Sequence, residues 1–103
     1  MTAARDAVIP GSVVLITGAA RGMGELYARR AAREGAAAIA LWDVDEDRAE
    51  ALATELMRAG RSRGMRARAY AVDISDREAV RDAAQRTRDE LGDPDIVINN
   101  AGI

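Results

Sequence analysis

The chain has 103 residues, of which 49% are apolar and 31% charged, and its formal net charge is −2 at pH 7. This composition is typical of one small globular domain, and the small net charge argues against general nucleic-acid binding, which needs a basic surface. The sequence contains no Cys, His or Lys, which excludes thiol nucleophiles, disulfides, the usual zinc sites, imidazole acid–base chemistry and Schiff bases.

The first part of the chain predicts two strands with a helix between them. The run Ser12–Thr17 is almost wholly apolar and rich in β-branched residues, which predicts a strand covered on both faces. From Gly22 onward, apolar residues follow helical spacing opposite a charged face, and Gly35 is expected to end this helix. Ala37–Trp42 is again apolar and predicts a second buried strand.

The second part of the chain continues the same alternation. The acidic run Asp43–Asp47 predicts the start of a second helix, since carboxylates stabilise the positive end of a helix dipole. Arg66–Val72 predicts a third strand. The segment Ser75–Glu78 has the spacing of a capping box, in which the Ser and Glu side chains satisfy the first N–H groups of a third helix. Asp95–Asn99 predicts a fourth strand.

The order β-α-β-α-β-α-β with short buried strands predicts an α/β fold, a doubly wound parallel sheet with helices on both faces. We expect residues 1–11 to form an N-terminal extension and residues 12–103 to form one nucleotide-binding domain. The Arg-rich stretch Arg58–Arg68 is interpreted as a solvated connection. It joins a helix to the N-terminal end of a strand, whereas ligands of such sheets bind beyond the carboxyl ends of the strands.

Three glycines, Gly18, Gly22 and Gly24, lie between the first strand and the first helix. In such a turn the helix N-terminus can hold the pyrophosphate of a dinucleotide, and glycines let the backbone turn tightly and approach the phosphates. A side chain at Gly18 or Gly24 is expected to occupy the space that the pyrophosphate needs. The spacing matches neither the general GxGxxG fingerprint nor a P-loop.

The stretch from Thr17 to Gly24 reads TGAARGMG, and this TGxxxGxG pattern resembles the short-chain dehydrogenase/reductase family. Asp43, at the end of the second strand, is placed where a carboxylate can accept hydrogen bonds from an adenosine ribose. Asp73 and Ile74 follow the third strand and look like the pair that contacts the adenine ring. After the fourth strand, residues 99–102 read NNAG, a motif that lies beside the cofactor in this family.

The resemblance covers nearly the whole chain and implies a Rossmann-like sheet with strand order 3-2-1-4, incomplete relative to the much longer family members. It also implies an NAD(P)-dependent oxidoreductase that transfers hydride between a nicotinamide cofactor and an alcohol or ketone. The cofactor-binding residues that it implies are Gly18, Arg21, Gly22, Met23, Gly24, Asp43, Val44, Asp73, Ile74, Asn100, Ala101 and Gly102.

Two residues give opposite indications about the cofactor. Asp43 favours NAD, because a carboxylate at the ribose 2′ position repels the 2′-phosphate of NADP. Arg21, just before the second glycine, resembles family members that prefer NADP. We expect NAD, because Arg21 is flexible and can turn to solvent or pair with an acid such as Asp43.

No catalytic residue can be assigned. The family's Tyr-x-x-x-Lys pair, with its assisting Ser and Asn, lies beyond the NNAG motif, and here Tyr27 is followed four residues later by Ala31 and Tyr70 by Ile74. The chain on its own is therefore expected to be inactive and to supply the cofactor-binding part of an enzyme. The alternatives are a non-catalytic dinucleotide-binding module and, less favoured by the Thr17–Gly18 spacing and by NNAG, a methyltransferase.

Short sequence patterns also predict the substrate class, the location and the partners of the protein. Leu41–Val44 reads LWDV and looks like the branch of the family that oxidises retinols and hydroxysteroids, which implies a small alcohol or ketone of lipid or steroid character. Trp42 is equally compatible with sheet packing. No apolar stretch approaches the roughly 20 residues of a membrane span and no signal peptide is apparent, so we expect a cytoplasmic protein that binds neither membranes nor nucleic acids. A homo-oligomer is expected for the full-length form.

Overall fold

Strands and helices alternate along the chain. The structure, a computed structural model, describes residues 9–60 and 63–101. Its elements are β1 (Val13–Thr17), α1 (Gly22–Arg33), β2 (Ala38–Asp43), α2 (Glu46–Ala59), β3 (Arg66–Ala71), α3 (Arg77–Glu90) and β4 (Ile96–Asn99). The order and type of all seven agree with the sequence prediction, and of the expected N-terminal extension only residues 9–11 fall within the described part.

The four strands form one parallel sheet in the order β3-β2-β1-β4, as the resemblance implied. Because β1 lies between β2 and β4, Thr17 pairs with Trp42 on one side and with Asn99 on the other. The carboxyl ends of these strands therefore lie side by side, and the segments that follow them meet at one edge of the sheet. This register is what brings the glycine turn, Asp43 and the residues after β4 together.

The two faces of the sheet are covered unequally. On one face α1 and α2 pack over Ile16, Ile39 and Leu41, which are fully buried. On the other face α3 alone covers a second cluster that includes Trp42 and Tyr70. This division follows from the alternation of side chains along each strand, since neighbouring residues face opposite sides of a sheet.

The predicted capping box at Ser75–Glu78 was wrong. Asp76 caps α3, and its Oδ1 accepts hydrogen bonds from the backbone N–H groups of Glu78 at 3.1 Å and Ala79 at 3.2 Å. The Ser75 hydroxyl instead donates to Asp73 Oδ1 at 2.7 Å. With Asp73 available as a charged acceptor, Ser75 completes the turn after β3, and the helix begins later than predicted.

The remaining differences are small. β1, β2 and β4 each begin one residue later than predicted, β2 extends through Asp43, and β3 ends at Ala71. Arg63, from the predicted solvated connection, is exposed and donates to the Ala32 carbonyl at 2.8 Å. Within the described ranges, none of the helices has both the length and the apolar character needed to cross a membrane.

Candidate functional site

An open groove of about 680 Å³ lies at the carboxyl edge of the sheet. It contains all but two of the predicted cofactor-binding residues. Gly24 lies behind the turn and is buried, and Gly102 is outside the described residues. The groove is lined by Gly18, Arg21, Gly22, Met23, Asp43, Val44, Val72, Asp73, Ile74, Asn100 and Ala101.

The glycine turn is shaped by two residues with positive φ, Gly18 at +63° and Gly22 at +61°. Side chains are disfavoured there, because L-residues rarely adopt this conformation. A Cβ on Gly24 would overlap the carbonyl oxygen of Gly18, whereas a Cβ on Gly22 would meet nothing within 4 Å. Gly24 thus allows α1 to pack directly against the turn, and Gly22 leaves the groove side of the turn open.

Close contacts within the protein give a further reason for glycine at Gly18 and Gly24, besides the expected need for pyrophosphate space. A Cβ on Gly18 would point at Asn100 Nδ2, 3.0 Å away, and at the backbone of Ala101, and one on Gly24 would collide with the turn itself. Both positions need glycine because protein segments approach each other closely there.

The N-terminus of α1 differs from those of the other two helices described. Asp45 caps α2 by accepting a hydrogen bond from Arg48 N at 3.1 Å, and Asp76 caps α3. The N-cap of α1 is Arg21, and no side chain in the described part of the chain accepts from its first N–H groups. Since the first N–H groups of a helix have no partner within the helix, those of α1 remain available at the groove.

Ala20, in the middle of the turn, is held through both of its backbone polar groups. Its N–H donates to Asp43 Oδ2 at 3.0 Å, and its carbonyl accepts from Arg48 Nε at 2.9 Å. Asp43 is 9% exposed, and its Oδ1 also accepts from Asp45 N at 2.9 Å. Sequence reasoning missed Arg48, because no motif marks it and its role depends on how α2 docks against the turn.

A second set of hydrogen bonds joins the segment after β4 to the turn. Asn100 Nδ2 donates to the Gly18 carbonyl at 3.2 Å. The Thr17 hydroxyl donates to Asn99 Oδ1 at 3.1 Å and accepts from Ala101 N at 3.0 Å. Thr17 is part of the TGxxxGxG motif, and its hydroxyl connects the two segments that form this end of the groove.

Charges in the groove are distributed among a few side chains. Arg21 Nη2 lies 3.0 Å from Asp45 Oδ2, so Arg21 pairs with Asp45 and not with Asp43, the partner suggested from the sequence. Asp43 already accepts two backbone N–H groups and is nearly buried, whereas Asp45 is accessible. Hydrogen bonds from the Ser75 hydroxyl and N–H lower the pKa of Asp73, so this carboxylate is ionised at neutral pH.

Apolar side chains flank these charges. Val44 follows Asp43 and is 71% exposed, and Ile74 follows Asp73 and is 41% exposed. Met23, at the start of α1, is 53% exposed. All three line the groove, which therefore combines exposed apolar surface with free helix N–H groups and carboxylates.

Trp42 and Tyr70 lie in the core beneath α3, away from the groove. The indole Nε1 of Trp42 donates to the buried Thr87 hydroxyl at 3.1 Å. The Tyr70 hydroxyl donates to Glu90 Oε1 at 2.8 Å, and burial followed by this hydrogen bond raises the pKa of Tyr70 to about 12. Both aromatic residues stabilise the packing of α3, so Trp42 carries no signal about a substrate.

A parallel sheet of order 3-2-1-4 with a glycine turn leading into an uncapped helix defines a Rossmann-like α/β protein. Residues 12–103 match the profile of the family described as short chain dehydrogenase, and the chain belongs to this family.

Individual relatives agree with this assignment. The chain is 40% identical over 95 residues to human epidermal retinol dehydrogenase 2, covering 92% of this chain and 29% of that protein. It is 37% identical over 95 residues to mouse estradiol 17-beta-dehydrogenase 11, covering 92% of this chain and 30% of that one. The structure of L-sorbose reductase from Gluconobacter frateurii, complexed with NADPH and L-sorbose, superposes with a TM-score of 0.84 at 36% identity. That superposition covers 95% of this chain and 36% of the reductase. The chain thus spans about a third of the length of these relatives.

Proposed function

We propose that this chain is the cofactor-binding part of an NAD-dependent oxidoreductase that interconverts an alcohol and a ketone or aldehyde. The observation that carries the proposal is the uncapped N-terminus of α1, which opens onto the groove while α2 and α3 are both capped by aspartates. Backbone N–H groups and the positive end of a helix dipole together form an anion site suited to a pyrophosphate.

The groove residues fit the remaining parts of a dinucleotide. Val44 and Ile74 offer exposed apolar surface suited to the faces of an adenine ring, and Asp43 lies at the end of β2, where ribose hydroxyls are bound in this class of fold. Gly22 leaves the turn open toward the phosphates. The nicotinamide supplies the hydride chemistry when bound, and this chain's residues bind and orient the cofactor.

We infer a preference for NAD over NADP from the acidic residues beside the ribose position. Asp43 is held in place by two backbone N–H groups, and Arg21, which lines the groove, is paired with Asp45. A 2′-phosphate would meet carboxylates there, with the nearest guanidinium already engaged. The NADPH in the sorbose reductase complex is a property of that enzyme.

The substrate proposed is a small lipid-like alcohol or its carbonyl product. The names of the two curated relatives, a retinol dehydrogenase and an estradiol dehydrogenase, support this class. The groove by itself accounts for binding of the cofactor and not for proton transfer to a substrate. A second candidate is therefore a module that binds the dinucleotide without catalysing hydride transfer.

Calorimetric titration of the protein, as its gene encodes it, with NAD(H), NADP(H) and S-adenosylmethionine tests the proposal. Binding of NAD(H) tighter than NADP(H), without binding of S-adenosylmethionine, is the expected result. Turnover of retinol or a hydroxysteroid with NAD then separates an enzyme from a non-catalytic module. Absence of any dinucleotide binding would overturn both candidates, and equal affinities for the two cofactors would overturn the NAD assignment.

A further inference from the structure

The rim of the groove at the glycine turn has one basic and two acidic side chains. Arg21 is the only basic residue among those that line the groove within the described part of the chain. Asp43 is the last residue of β2, and Asp45 lies in the connection to α2, which it caps. Arg21 Nη2 and Asp45 Oδ2 are 3.0 Å apart, and their side chains are 65% and 35% exposed, so this ion pair lies at the surface.

Asp43 is not free to respond to a cofactor phosphate. Its Oδ2 accepts from Ala20 N at 3.0 Å and its Oδ1 from Asp45 N at 2.9 Å, and the residue is 9% exposed. The carboxylate is therefore fixed as part of the framework that holds the turn. Its charge repels a 2′-phosphate, but a different residue contacts Arg21.

Asp45 is the residue that sets the position of Arg21. One carboxylate oxygen, Oδ1, caps α2 by accepting from Arg48 N at 3.1 Å, which orients the side chain. The other oxygen, Oδ2, then faces Arg21. Because the cap fixes the carboxylate, the guanidinium of Arg21 is held toward α2.

We propose that Asp45 is a specificity-determining residue of the groove: it engages Arg21 in an ion pair and so withholds the basic side chain from the 2′-phosphate of NADP. The inference rests on the proposed function, that the groove binds a nicotinamide dinucleotide. It assigns part of the selection against NADP to a residue two positions beyond Asp43. It also implies that the preference can be changed without disturbing the hydrogen bonds of Asp43.

The test is the Asp45→Asn variant, because Asn caps helices as well as Asp does but carries no charge to hold Arg21. An exposed ion pair contributes a fraction of a kcal/mol to about 1 kcal/mol, so we expect the NADP(H) affinity to rise about three- to fivefold at low ionic strength. The NAD(H) affinity should change less than about twofold, since NAD carries no 2′-phosphate. Asp47→Asn is the matched control, because it makes the same charge change on the exposed first turn of α2.

A double-mutant cycle with Arg21→Gln examines the ion pair itself. If Asp45 acts through Arg21, the gain in NADP(H) affinity from Asp45→Asn disappears when Arg21 is replaced. A gain that persists without Arg21 would overturn the inference in favour of a simple charge effect. The ratio of NAD(H) to NADP(H) affinities could instead change equally in Asp45→Asn and Asp47→Asn. If the parent protein binds NAD(H), that result would overturn the inference about Asp45 and leave the proposed function intact. A parent that binds no dinucleotide would overturn both.

Discussion

The carboxylate of Asp43 accepts a hydrogen bond from the backbone N–H of Ala20, at 3.0 Å, in the middle of the glycine turn. The residue expected to select the cofactor therefore also holds the turn that we propose binds the cofactor. In a bond of this kind the charged acceptor contributes about 1.5–3 kcal/mol. The Asp43 side chain is thus expected both to select the cofactor and to position the turn, so its replacement should affect both properties.

We expect Asp43→Ala to lower the affinity for NAD(H) by about tenfold or more, since it leaves the N–H groups of Ala20 and Asp45 without their acceptor. The ratio of affinities should move toward NADP(H), because a carboxylate near the 2′ position is lost. Calorimetric titration of both cofactors measures this, with Asp47→Ala as an exposed control on α2. A variant that binds NADP(H) as tightly as the parent binds NAD(H) would show that Asp43 has no positioning role.

Gly22 and Gly24, the two glycines at the start of α1, should respond differently to substitution. Gly24→Ala places a Cβ against the carbonyl oxygen of Gly18, so α1 must move away from the turn. We expect this variant to lose about 1–3 kcal/mol of folding free energy and also to lose dinucleotide binding. Gly22→Ala meets no atom within 4 Å and incurs only the strain of a φ of +61°, about 1–2 kcal/mol. Urea denaturation of both variants compares them, and a larger loss for Gly22→Ala would contradict this interpretation.

Arg48 should affect binding through the turn without touching the cofactor. Arg48→Met retains the aliphatic length but removes the donor to the Ala20 carbonyl, 2.9 Å away, and we expect dinucleotide affinity to fall about three- to tenfold, the equivalent of one hydrogen bond. AMP, which carries no pyrophosphate, should lose less affinity than NAD does. Arg58→Met, at an exposed position of α2, is the matched control. Equal losses in both variants would assign Arg48 a general charge effect.

The sequence predicted the parts of the site that depend on strand order and missed those that depend on helix docking. Asp43, Asp73 and Asn100 could be placed at one edge because parallel strands end there together. The contacts of Arg48 with Ala20 and of Asp45 with Arg21 depend on the distance between α2 and the turn, which no local pattern encodes. Ser75 and Asp76 are adjacent and both suit an N-cap, so the choice between them depended on Asp73 engaging the Ser75 hydroxyl.

The stability of the fold should decrease in alkaline solution through Tyr70. Its pKa is raised from 10.0 to about 12, mainly by burial, so above pH 10 the unfolded chain loses this proton while the folded protein retains it. The stabilisation is present below pH 10 and lost as the pH rises to about 12, a change of about 1–2 kcal/mol in the free energy of unfolding once solvent screening is allowed for. Urea denaturation between these pH values should give a flatter profile for Tyr70→Phe, and the same slope in both proteins would exclude Tyr70 as the cause.

The 103-residue chain made by itself should associate through β4. In the described structure β4 pairs only with β1. The other edge of β4, which is itself an apolar strand, therefore presents unpaired N–H and C=O groups. Val97 points to the side covered only by α3 and is 61% exposed, which adds apolar surface next to that edge. Light scattering should show oligomers that decrease in Val97→Lys. Leu26→Lys, which adds the same charge at a side chain 58% exposed on α1, should leave them unchanged. A monomeric parent, or an equal effect of both substitutions, would show that the edge of β4 does not drive association.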